Sequence, residues 1–153
     1  MNWLVLIAAF AAAAYFVLAP APDATDSGEV AARPGVSQVA RERDDAVIEN
    51  AFENRLGNLQ VTGQGTVMKL LADDNDGSRH QRFIVRLNSG RTLLVSHNID
   101  LAPRIGALRV GDTVAFYGEY EWNPKGGVIH WTHHDPQGIH PAGWIKHEGQ
   151  SYQ

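Results

Sequence analysis

LQVTGQGTVMKLLA, residues 59–72, decides the fold. It reads as a long first β-strand, and Gly63 or Gly65 is where such a strand would bend sharply or bulge. Four more β-rich runs follow, broken by Gly, Asp and Asn: HQRFIVRLN (80–88), TLLVSH (92–97), the strand inside RVGDTVAFYGEYEW (109–122) after its Val-Gly-Asp turn, and GGVIHWTHH (126–134). NIDLAPRIGAL (98–108), helical or irregular, separates the third from the fourth. Five strands, a bent first strand and a longer link between the third and fourth match a small, mainly β, five-stranded OB-like barrel. Another small β-barrel or a sandwich is the competing fold, and fold alone assigns no function.

Upstream, residues 37–57 carry helical periodicity. Ala40, Asp44, Ile48, Phe52 and Leu56 form the apolar row, beside the row Val39, Arg43, Val47, Ala51 and Arg55. Ser37 is the expected cap and Gly57 the expected end of this amphipathic helix. Its polar side is mixed in sign, so it is expected to pack on the domain rather than on lipid. PAPDATDSGEVAARPG (20–35) lies in a flexible tether over 20–36. WLVLIAAFAAAAYFVLA (3–19) has no charge, so residues 1–19 are expected to be a signal peptide or a membrane anchor. Proline follows both candidate cleavage sites, Val17-Leu18-Ala19 and Ala19-Pro20-Ala21, which leaves cleavage and retention equally open. Either way the domain at 58–153, with its His-rich C-terminal segment, is expected to be exported: periplasmic, anchored to the inner membrane or secreted.

Composition narrows the chemistry. The 153-residue chain has no cysteine, which excludes disulfides, thiolate metal sites and a cysteine nucleophile. A net charge of −4 disfavours nucleic acid as a bulk partner, although a local basic patch is compatible with it. Such a patch is present: residues 79–109 hold six arginines against the single acid Asp100. If Ser89-Gly90 is a two-residue hairpin loop, Arg82 faces His97 and Arg86 faces Leu93. His80 and His97 then become diagonal neighbours roughly 7–8 Å apart on a face with Arg82 and Arg86. A three-residue loop would change that register. Arg82 and Arg86 are the candidate anion-binding residues, since guanidinium forks suit paired oxygens. Trp122, with Tyr117 and Tyr120, is a candidate stacking platform or a plug of the barrel.

GGVIHWTHHDPQGIH (126–140) packs four of the seven histidines into eleven residues. In an extended strand Val128, His130, Thr132 and His134 share one face, and Ile129, Trp131 and His133 look inward. His130 and His134 would stand about 13 Å apart on an ideal strand, so one ion needs a chain turn at Asp135-Pro136 or a partner from elsewhere. His80, His97, His130, His134 and His140 are the candidate metal ligands, with Asp135 a candidate ligand or orienting group. Zinc or another divalent transition metal would accept such a set. Histidines bonding loops and one another, or titrating near neutrality, are the competing readings. DDNDGS (73–78) misses the EF-hand positions at Ala72 and Phe83 and reads as an acidic hairpin turn. GxSxG, P-loop and dinucleotide fingerprints are absent.

The blocks DDNDGSRHQRF, SHNIDLAPRI, GDTVAFYGEYEWNPKGGVIHWTHHDP and HPAGWIKHEGQSYQ, over about 58–153, resemble a bacterial exported family known only as domain of unknown function 3465. The resemblance implies export and assigns no catalytic residue. The expected function is a small exported binding module for an anionic ligand, an oligomer or a metal ion, more consistent with binding than with an enzyme. A metal-dependent hydrolase acting on phosphodiesters or envelope material, using the histidine cluster, is the alternative. A structural partner of an envelope assembly is a third.

Overall fold

The computed structural model describes residues 34–153. Residues 1–33, with the expected leader or anchor and most of the expected tether, lie outside the described residues. The described chain runs α1 (Pro34–Glu53), β1 (Leu59–Leu70), β2 (His80–Leu87), β3 (Thr92–Asn98), β4 (Thr113–Glu121), β5 (Val128–His130), β6 (Trp144–His147) and β7 (Gln150–Tyr152).

The first five strands close a barrel in the order β1-β2-β3-β5-β4, with β4 pairing back onto β1. Every pairing among them is antiparallel except β3 with β5. This is the OB-like arrangement. The length of β1 makes closure possible, because one strand must feed two neighbours. Residues Leu59–Thr66 pair with β4 and Gly65–Leu70 with β2. Gly65 belongs to both ladders, and a Cβ there would lie 2.8 Å from the Arg86 carbonyl oxygen. Gly63 leaves room for the Phe116 ring, whose Cζ would stand 2.3 Å from a Cβ. The register slip falls between Val67 and Lys69, two residues past the glycines.

Phe83, Val85, Leu93, Val95, Phe116, Tyr120 and Ile129 are fully buried inside the barrel. Helix α1 adds Ile48 and Ala51 to the same core. Asp45 of the helix accepts the Ser89 N–H at 2.9 Å, and Glu49 takes the Ser89 hydroxyl and the Arg91 guanidinium. These contacts fix the helix against the β2–β3 turn. The helix starts three residues before the expected Ser37 cap and ends before Gly57. Arg55 (φ 55°) occupies the left-handed closing position, with Leu56 N–H bonded to Ala51 O and Arg55 N–H to Phe52 O. Gly57 instead lies against the Glu121 carboxylate, whose Oε2 would stand 2.1 Å from a Cβ there and would have to shift.

Two departures from the sequence reading shape the site. The β2–β3 loop has three residues, Asn88-Ser89-Gly90, with Gly90 at φ 94° and Leu87 N–H bonded to Arg91 O. Arg82 therefore faces Ser96 and Gln81 faces His97. Every β3 side chain is turned over from the two-residue expectation, as a one-residue slip requires. His97 lies inward and fully buried, while His80 lies on the outer face. The strand β5 also stops at His130, because Trp131 adopts φ 52°. That break ends the alternation, so Thr132 and His133 are both buried and Trp131 is not. The three-residue β5 leaves part of the β4 edge uncovered. The β6–β7 hairpin, which the sequence did not suggest, pairs there along Val114–Tyr117.

Candidate functional site

The outer face of the sheet carries two adjoining features. The first is a groove of about 480 Å³ lined by Leu71, Ile84, Thr92, Leu94, Lys125 and Gly127 among others. Strand register explains its floor. Ile84 pairs with Lys69 on one side and Leu94 on the other, and Leu94 pairs with Val128. Alternation puts all four on the outer face, so an apolar centre has a lysine at its edge. Arg86 stands opposite Thr92 one row along. The β1–β2 and β4–β5 loops wall the groove. Asn123 Oδ1 accepts the Lys125 and Gly127 N–H groups and holds the second loop in shape.

Four of the six arginines in the 79–109 segment are paired with acids, three of them with acids from outside it. Arg82 reaches Asp74 at 3.3 Å and the Ala72 carbonyl at 3.1 Å; Arg104 pairs with Asp73, Arg91 with Glu49 and Arg79 with Asp100. Among the described residues Lys69, Arg86 and Lys125 take part in no ion pair, and all three border the groove's rows. A larger cleft of about 760 Å³ lies along α1, but Glu42, Asp45, Glu49 and Glu53 line it. An anion is repelled there.

The second feature sits on β4 and β5. Glu119 and Glu121 are two apart on one strand and share its outer face; His130 pairs directly with Glu119. His130 Nε2 stands 3.2 Å from Glu119 Oε1, without the direction of a hydrogen bond and with no other partner. His140 Nε2 bonds Glu119 Oε2 at 2.5 Å, and its ring stacks on Trp131 with centroids 4.2 Å apart and planes 6° apart. Burial is the largest influence on both imidazoles and disfavours their charged forms. It prevails at His130, whose pKa is lowered. At His140 the bonds to Glu119 and the Pro141 carbonyl, with the Glu119 and Asp135 charges, outweigh it and raise the pKa.

Asp135 organises the segment that delivers His140. Its carboxylate accepts the N–H groups of Gln137, Ile139 and His140 at 2.7–2.9 Å, and the Gln137 and His140 bonds foremost hold its pKa down. Asp135→Ala strands these donors. A loss of about 1–2 kcal/mol, the scale of a helix cap, is expected in urea unfolding. A loss below a few tenths would show that the segment is held by other means.

The remaining candidates are dispersed. His97 donates Nε2–H to the Pro103 carbonyl at 3.2 Å, so its Nδ1 accepts the Thr132 hydroxyl at 2.8 Å. Burial holds its pKa down at about 4. His80 bonds the Ser78 carbonyl at 2.7 Å and lines a cavity of about 230 Å³ with His130, Trp131 and His133. His134 is exposed. Trp122 donates Nε1–H to the Phe52 carbonyl and packs on that ring, which ties the end of β4 to α1. Glu119 and Glu121 escaped the sequence reading. Their i, i+2 spacing in GEYE, joined by a short turn to VIH, is the signal that brings them to His130. His147 also escaped; it is buried and bonds Asp112 at 2.8 Å.

Residues 32–153 match the model of a family described as a protein of unknown function, DUF3465. No curated protein matches the chain.

Proposed function

We propose, for a chain that belongs to the DUF3465 family and receives no assigned activity from it, an exported binding module whose ligand is an anion carrying an apolar group. One observation carries this reading: Ile84 and Leu94 floor a groove lined by Lys125, with Lys69 paired to Ile84 and Arg86 paired to Thr92 beside it, and none of these three cations takes part in an ion pair among the described residues. A volume of about 480 Å³ lies within the ordinary range for small-ligand sites. In OB-type barrels this face, between the β1–β2 and β4–β5 loops, is the usual binding surface. The apolar floor supplies affinity in proportion to area removed from water, and the cations supply selectivity for charge. Export rests on the apolar run 3–19. A periplasmic phosphatase reporter fused after residue 36 is expected to be active, and an inactive fusion would remove that part of the reading. Among the described residues no helix is long and apolar enough to cross a membrane.

Calorimetric titration with decyl phosphate below its micellar concentration tests the ligand class. It should bind, while inorganic phosphate and the uncharged octyl glucoside should bind at least about tenfold more weakly, a difference of about 1.4 kcal/mol. Ile84→Asp puts a carboxylate into the apolar floor and should abolish the binding. Equal binding of octyl glucoside, or tight binding of a single-stranded oligonucleotide in place of decyl phosphate, would refute the proposed ligand class.

A further inference from the structure

We infer that Glu119, Glu121 and His130 form a site for one divalent transition-metal ion, with zinc the best-matched occupant. Their ligand atoms lie within 4.8 Å of one another, and they are the group among the described residues with that convergence. The arrangement follows from sheet geometry. Two carboxylates alternate onto one face of β4, and cross-strand pairing sets the imidazole opposite the first of them. Donors around a tetrahedral zinc stand roughly 3.3 Å apart, given bonds of about 2.0–2.2 Å. The 3.2 Å between His130 Nε2 and Glu119 Oε1 already has that spacing.

The hydrogen bonding leaves the donors available. His130 Nε2 is shielded from solvent and meets only Glu119 Oε1, at 3.2 Å and poorly aligned for a hydrogen bond, so it is incompletely satisfied. A metal ion satisfies it through the lone pair. Glu119 is oriented from behind by His140, which holds Oε2 and leaves Oε1 toward His130. Glu121 is oriented by the Asn58 N–H at 2.9 Å on its Oε1. Both are the outer supports that metal-binding carboxylates need. One nitrogen and two carboxylates suit zinc, manganese or iron(II), whereas an all-oxygen set would suit calcium or magnesium. The fourth position remains for water or a ligand anion.

The test uses the full chain, untagged and stripped with chelator, titrated with zinc chloride by calorimetry and with cobalt(II) by visible absorption. The expected result is one zinc per chain and cobalt d–d bands. Glu121→Gln and His130→Ala should each weaken zinc by at least about tenfold. His134→Ala, at an exposed position outside the cluster, should bind like the unaltered protein. Zinc should also raise the melting temperature of the unaltered protein and not that of Glu121→Gln, whose half-exposed position favours folding if His130→Ala misfolds. No binding by the unaltered protein, or unchanged affinity in Glu121→Gln, overturns the assignment. Decyl phosphate binding measured with chelator present keeps this outcome separate from that of the groove.

Discussion

Between pH 7 and pH 4 the folded domain is expected to lose about 3 kcal/mol of stability through His97 alone. The imidazole is fully buried, and burial holds its pKa down at about 4 against an ordinary value of 6.5. Above pH 6.5 both folded and unfolded chains carry it neutral, and it contributes no pH dependence. Below that the unfolded chain takes up the proton and the folded one does not, so stability falls until about pH 4. The shift, at about 1.4 kcal/mol per unit, sets the size. The neutral ring is also a structural tie. It joins the Pro103 carbonyl in the β3–β4 link to the Thr132 hydroxyl after β5. Urea unfolding of the unaltered chain and of His97→Gln across this range isolates the effect. The variant should be less stable at pH 7 and show a flatter decline toward pH 4. Parallel curves would mean that His97 is hydrated or already charged in the folded state.

Gly143→Ala is expected to cost roughly 3–5 kcal/mol. A Cβ there would lie 2.0 Å from the Trp131 carbonyl oxygen, 2.5 Å from that of Tyr117 and 2.9 Å from Thr132 Cα. All three are backbone atoms and cannot rotate away as a side chain can. Gly143 also closes the 131–143 segment, its N–H bonding the His133 carbonyl at 2.9 Å. Displacing it moves the backbone of Trp131, whose ring stacks on His140. Gly138 supplies the control. It has φ 66° and open space around its Cβ, so Gly138→Ala should cost only about 1 kcal/mol for the left-handed backbone. Denaturant midpoints compare the two. An equal, small effect would mean that the segment yields easily at its base.

Much of the barrel was legible because its signals are local. Glycines inside a long strand, Gly90 and Gly111 at turns, and β-rich runs of the right length each follow from short-range chemistry. The faces of β3 were not legible. Asn88-Ser89-Gly90-Arg91 accommodates a two- or a three-residue loop, and one residue of difference moved His97 from the expected outer face to the buried one. Likewise nothing in IHWTHH marks Trp131 as the residue that takes a positive φ and ends β5. The histidines in 130–140 therefore divide by role. His133 is buried, His134 is exposed, and His130 and His140 flank a glutamate supplied by another strand. Glu119 lies on the preceding strand, and the β4–β5 register sets it opposite His130. The arginine patch was legible as charge but not as pairing, since Glu49, Asp73 and Asp74 lie outside the segment they neutralise.

Amide chemical shifts during titration with decyl phosphate give the decisive result on the ligand groove. Perturbations centred on Ile84, Thr92, Leu94, Lys125 and Gly127, weakening as salt is added, are expected from an apolar floor with a cationic border. Perturbations confined to the acidic cleft of α1 or to residues 131–143, or none at saturating ligand, would contradict the assignment of this face as the binding site.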